Sequence, residues 1–258
     1  PSIPQGTRDF SAATVRKRNY ILNTIKSVFE LHGFQPLETP AMEQLQTLMG
    51  KYGEEGDRLI FKILNNGLYE KKDKATLQQA WEGILEKPSS STLITERALR
   101  YDLTIPFARY VAMNFNELAM PYKRYQMQPV WRADRPQKGR YREFWQCDCD
   151  MVGSTSVFNE AELLAIYARV FKQLGIPQIS IKINNRKILA AIAEFAGYEA
   201  QLTDITIALD KLDKVGWDGV EKELLDRSIL ADGIEKIRMI VAIQGDHTLI
   251  LQHLRKHL

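Results

Sequence analysis

An α+β fold, an antiparallel sheet flanked by helices with a small helical module beyond it, is predicted by three observations. Residues 123–153 carry two runs of alternating side chains around a basic turn. Helical spacing with recognisable ends recurs at 11–31 and 159–174. After Asn185 the alternation disappears, and helical spacing with many Lys, Asp and Glu residues continues towards Leu258.

The elements follow in order. Val15, Ile21, Leu22, Ile25, Val28, Phe29 and Leu31 form one apolar stripe, so Ser11 to Leu31 is predicted as a helix closed by Gly33. An extended, proline-broken stretch, Phe34 to Pro40, comes next. Gly53 to Asp57 is expected as a turn, Leu59 to Leu64 as a short strand and Asn65-Asn-Gly67 as another turn. Glu70 to Thr92, charged and then rich in Pro and Ser at Lys87 to Ser91, reads as a surface insertion, with Lys71-Lys72 a solvated patch. Leu93 to Thr95 is expected as a strand, and a helix carrying Thr104 starts near Asp102. Asn159 is expected to cap a helix ending at Leu174 before Gly175. Ile179, Ile181 and Ile183 alternate with polar residues as a strand would.

Tyr125, Met127, Pro129 and Trp131 alternate with Arg124, Gln126, Gln128, Val130 and Arg132, and Tyr141, Glu143, Trp145, Cys147, Cys149 and Met151 with Arg142, Phe144, Gln146, Asp148 and Asp150. Strand side chains alternate between two faces, and Arg135-Pro-Gln-Lys-Gly139 has turn chemistry, so an antiparallel hairpin is predicted. One face would then collect Arg132, Asp134, Arg142, Phe144, Gln146, Asp148 and Asp150. Charged groups on a central sheet need partners, and this face has the character of a floor for an anionic, planar and polar ligand. Plainer readings stand beside that one. The arginines also fit a solvated hairpin, Phe144 a core position, Asp102 a helix cap, and Gln146 with Asp150 a network around Arg124.

Composition excludes little. A chain of 258 residues can bury a real core, and a net charge of +3 implies no strong field for polyanions. No basic start followed by an apolar run marks a signal peptide, and no apolar run is long enough for a bilayer. The absence of an initiator Met implies a processed or trimmed chain. Cys147 and Cys149, the only cysteines, read as small core residues in a reducing cytoplasm. His253 and His257 have the spacing of a metal pair without a third ligand, so no protein metal site is expected.

At Trp131 to Asp150 the sequence resembles the second signature motif of class II aminoacyl-tRNA synthetases. The Arg135-Pro-Gln-Lys-Gly-Arg-Tyr-Arg142 loop is similar to that of histidyl-tRNA synthetases in particular. Leu99 to Arg109 resembles that family's histidine-binding segment, Gly6-Thr-Arg-Asp-Phe10 its opening, and Gly33 to Pro40 its first class motif. The resemblance implies a class II synthetase-like fold, with residues 1–184 the first part of a catalytic domain and 185–258 a truncated helical insertion. It implies that Arg132 holds the α-phosphate of ATP and the histidine carboxylate, that Arg140 meets the γ-phosphate, that Phe144 stacks on adenine and that Asp134 lies near it. Asp102 and Thr104 would hold the α-ammonium of histidine with Leu103 lining the turn, Gln146 would contact the substrate's backbone, and Asp150 would accept from the imidazole N–H.

The implied reaction makes histidyl-adenylate from histidine and ATP, with Mg2+ bridging phosphates, and then charges tRNA(His). Homodimerisation through Gly33 to Pro40 is implied too. Nothing after Asn185 resembles the family's later arginine-bearing motifs or its anticodon-binding domain, so an N-terminal fragment, nearly inactive alone, is expected. Two other readings share the fold: a regulatory paralogue serving an ATP phosphoribosyltransferase, and a non-catalytic tRNA-sensing domain. The presence of Arg132, Arg140 and Phe144 weighs against the first, and the intact substrate residues weigh against the second.

Overall fold

The first helix is built as its apolar stripe requires. In the computed structural model, which describes residues 1–71, 73–86 and 92–257, α1 (Ala12–Leu31) starts at Ser11, whose hydroxyl accepts from the Thr14 amide. It stops where Gly33 turns left-handed, at a φ of 77°. Val28 and Phe29 bury its inner face.

The chain then adds β1 (Gln35–Pro36), β2 (Met42–Gln44), α2 (Leu45–Leu48), α3 (Gly53–Arg58), β3 (Lys62–Ile63), α4 (Lys74–Glu86), β4 (Arg97–Leu99), α5 (Thr104–Met113), β5 (Tyr122–Trp131), β6 (Glu143–Val152) and α6 (Phe158–Gln173). Among the described residues the strands make two three-stranded sheets, ordered β1-β5-β6 and β2-β4-β3. β5 and β6 are antiparallel in one register from Tyr122 opposite Val152 to Trp131 opposite Glu143. The sheet they form is mixed rather than wholly antiparallel, because β1 runs parallel to β5. The small sheet joins the large one where the Trp131 amide donates to the Arg100 carbonyl and the Ala133 amide to that of Leu59.

Several expected elements shift. Gly53 to Asp57 is helical within α3 rather than a turn. The strand expected over 59–64 shrinks to Lys62–Ile63, and the one expected at 93–95 forms at Arg97–Leu99. There Ala98 can sit fully buried between β2 and β3. Asn159 does not cap α6. The helix begins at Phe158, and the Asn159 amide group donates to the Ser154 carbonyl. Ile179, Ile181 and Ile183 lie in irregular backbone and are exposed. An alternating pattern becomes a strand only when a neighbour accepts its ladder bonds, and no described residue does. The insertion contains α4, while Lys72 and the Lys87–Ser91 stretch lie outside the described residues.

Residues 1–179 and 180–258 form two compact units. The second holds α7 (Arg186–Ala196), capped by the Asn185 side chain, α8 (Leu202–Leu209), α9 (Leu212–Asp226), α10 (Ala231–Val241) and α11 (His247–His257). Ile192, Ile205, Leu224 and Ile237 are among the residues of its own apolar core. No described helix is long and apolar enough to cross a membrane.

Candidate active site

Parity sorts the hairpin into two faces. Tyr125, Met127, Cys147, Cys149 and Met151 pack against Val28, Phe29, Ile166 and Val170 of α1 and α6. Burial pushes both thiols up to about 11, so neither is poised as a nucleophile. The opposite face carries the partners Arg124 and Asp150, Gln126 and Asp148, Gln128 and Gln146, and Val130 and Phe144. That face is the polar floor.

At its centre lies Arg124, whose side chain is 0% exposed. Its Nη2 donates to the Leu103 carbonyl at 3.1 Å and faces Asp150 Oδ2 at 2.7 Å. The guanidinium stacks over Phe107 at 4.4 Å. Burial pulls the Arg124 pKa down, and the carboxylates of Asp150 and Asp148 oppose that. Its Nε and Nη1, together with Gln126 Oε1 and Gln146 Oε1, find no hydrogen-bond partner among the described residues. Buried polar atoms of that kind are costly to leave unpaired, so the floor is chemically prepared for a polar ligand. Asp148 is pushed up to about 6, first by burial and then by Asp150 and Asp102, against the pull of Arg124 and Arg132.

The β4–α5 turn forms a second wall. Tyr52 donates to Asp102 Oδ1 at 2.8 Å, and the Ile105 amide reaches the same oxygen at 3.3 Å. Asp102 therefore does cap the start of α5, as the simpler reading had it. Burial, reinforced by this carboxylate, raises the Tyr52 pKa well above the ordinary phenol value. Leu103 is buried and presents its carbonyl rather than its side chain, and Thr104 opens α5 in an exposed position. Arg132 closes the assembly. Its Nε donates to the Tyr101 carbonyl at 3.1 Å, and its guanidinium lies 4.3 Å from the Tyr101 ring and 5.2 Å from the Phe144 ring. Tyr52 and Tyr101 stack at 4.6 Å behind it.

One expectation about the shared face needs correction. β5 ends at Trp131 and β6 begins at Glu143, so residues 132–142 form a loop in which strand parity no longer applies. Arg142 turns away from the floor, its Nε donating to the Asp134 carbonyl and its backbone amide to the Gly6 carbonyl. The buried Asp134 carboxylate pairs with Arg140 at 2.9 Å. Sequence reading also passed over two supports. Arg100 is buried and donates to the carbonyls of Thr39, Pro40 and Pro129 and to Gln128 Oε1, which staples the 33–40 stretch to β5. Tyr52 orients Asp102 from far along the chain. Neither left a local signal, because both act across long sequence separations.

A family model described as histidyl-tRNA synthetase matches residues 91–257. A histidine–tRNA ligase of Christiangramia forsetii is 55% identical over 247 residues, covering 95% of this chain and 53% of that protein. One of Bacteroides fragilis is 55% identical over 250 residues, covering 96% of this chain and 54% of its own. The crystal structure of histidyl-tRNA synthetase from Nostoc sp. PCC 7120 matches with a TM-score of 0.79 at 31% identity, over 99% of this chain and 52% of that one. The chain spans about half the length of the curated relatives it matches.

Proposed function

This chain belongs to the histidyl-tRNA synthetase family, and from that premise we propose that residues 1–184 bind histidine beside ATP for cytoplasmic charging of tRNA(His). The observation that carries the reading is the position of Arg132, held between Tyr101 and Phe144 beside a floor where several buried polar atoms lack partners among the described residues. A planar guanidinium there suits two anions at once. It would hold the α-phosphate and the histidine carboxylate in line, so that a carboxylate oxygen attacks phosphorus as pyrophosphate leaves. No protein nucleophile takes part; positioning and electrostatic stabilisation do the chemistry.

Phe144, half-buried on the floor, supplies its ring for adenine, and Arg140 reaches the γ-phosphate by exchanging Asp134 for it. Asp134 thus serves the nucleotide by presenting Arg140. Asp102 and Thr104 receive the α-ammonium, with Leu103 contributing its backbone. Gln146 meets the substrate's polar backbone through its unpartnered Oε1. Asp150 keeps one oxygen on Arg124 and offers the other to the imidazole N–H. Magnesium enters as part of the nucleotide substrate, on phosphate oxygens. Among the described residues no group of three or more His, Cys, Asp or Glu side chains is placed to hold an ion.

Residues 185–258 are the helical insertion on this reading, and homodimerisation runs through Gly33 to Pro40. Calorimetric titration tests the core of the proposal: wild type binds histidine and ATP, and Arg132→Ala weakens each by roughly 10- to 100-fold, as expected for lost charge-assisted hydrogen bonds. Binding of neither ligand by the wild-type chain refutes it.

A further inference from the structure

The loop 132–142 is not held by the hairpin alone. The N-terminal stretch Gly6–Phe10 lies against it and ties it to α1. The Arg142 amide donates to the Gly6 carbonyl at 2.9 Å, and the Arg132 amide donates to the Arg142 carbonyl at 2.9 Å. That chain of bonds links the N-terminal stretch to the backbone of the central arginine. The contact is close. Gly6 has a φ of 84°, and a Cβ there would sit 2.7 Å from Arg142 Cγ. Only glycine allows both that conformation and that approach.

Side chains extend the tie. Arg8 lays its guanidinium 3.3 Å over the Tyr141 ring of the loop and 5.0 Å from the Phe10 ring. Arg18, on α1, lies 4.1 Å over Phe10. The order Arg18, Phe10, Arg8, Tyr141 therefore alternates cation and ring from a buried-face helix to the loop. Arg8 forms no ion pair within the described residues, and the two rings are its only partners there, so stacking is what this side chain does.

We infer that Gly6–Phe10 is a strap that sets the loop carrying Arg132 and Arg140, with Gly6 and Arg8 as positioning residues for the nucleotide. This deepens the proposed function and rests on the reading of that loop as the phosphate site. Apart from Arg132, the histidine contacts are held by other elements: Asp102 by Tyr52, and Asp150 by Arg124. The strap should therefore act mainly on the nucleotide, which both Arg132 and Arg140 meet, and only weakly on the amino acid. A cation over a ring at an exposed site is a modest interaction, so the effect is graded.

The test uses the full chain, with wild type, Arg8→Ala, Arg8→Lys and Gly6→Ala. Magnesium ATP and histidine are titrated separately, and trypsin cleavage after Lys138 and Arg140 is timed without ligand. Arg8→Ala is expected to weaken ATP roughly three- to tenfold and to speed cleavage in the loop by a similar factor. Histidine affinity stays within about twofold, Arg8→Lys recovers part of the ATP loss, and Gly6→Ala loses more than Arg8→Ala. Unchanged ATP affinity and unchanged cleavage in Arg8→Ala overturn the inference, as does an equal loss for both ligands. Faster cleavage in a chain whose wild type binds no ATP keeps the strap and sinks the nucleotide reading instead.

Discussion

Replacing Asp150 with Ala measures how far residues 1–179 depend on the pairing of the buried Arg124 guanidinium. Arg124 keeps the Leu103 carbonyl at 3.1 Å and the Phe107 ring at 4.4 Å, but loses the carboxylate at 2.7 Å. Burial already disfavours its charge, and two of its nitrogens have no hydrogen-bond partner among the described residues. Removing one member of a buried pair costs about 3–5 kcal/mol. Here the Asp150 side chain is 35% exposed and Asp148 remains nearby, so about 2–3 kcal/mol is expected. Urea unfolding in a Trp217→Phe background reports residues 1–179 through Trp81, Trp131 and Trp145. The midpoint should fall by on the order of 1 M with the slope unchanged. Adding Arg124→Met should recover much of the loss, since an apolar pair leaves no stranded charge. A single Asp150→Ala variant within about 0.5 kcal/mol of wild type would falsify the claim that this pair bears on the fold.

Two further perturbations follow from burial. Asp148 binds its proton up to about pH 6 in the folded chain, against 3.8 as the ordinary value. Between these limits the folded state holds a proton that the unfolded state has lost, so stability falls as pH rises through the window and levels off above it. The full effect is about 3 kcal/mol at most. Asp148→Asn should remove that slope in urea melts at pH 4.5 and 7; the same slope in both proteins contradicts the assignment. Cys147 and Cys149, held near 11 by burial, are about one part in a thousand ionised at pH 8. A thiol reagent should label them slowly in the native chain and quickly in urea, and rapid native labelling would place them elsewhere than the core.

Much of the floor was legible in the sequence because strand geometry converts residue parity into a face. Knowing that Cys147, Cys149 and Met151 were apolar was enough to put Asp148 and Asp150 on the other side, and Ser11 and Gly33 marked real helix ends through equally local chemistry. The rule stopped where the ladder stopped. Arg142 and Asp134 had the right parity and the wrong surroundings, because a loop obeys contacts rather than periodicity. The strand expected at Ile179 to Ile183 failed likewise: its pattern stated a preference, and pairing requires a neighbour.

Local features were thus written into the chain: helix ends, the hairpin, its two faces and the motif that names the family. The tertiary structure alone decided that Arg124 sits dry against Asp150, that Tyr52 fixes Asp102, that Arg100 staples residues 39 and 40 to β5 and that Gly6 presses on Arg142. Each of these joins segments far apart in the chain, and such a contact depends on how elements pack, which no short stretch of sequence encodes.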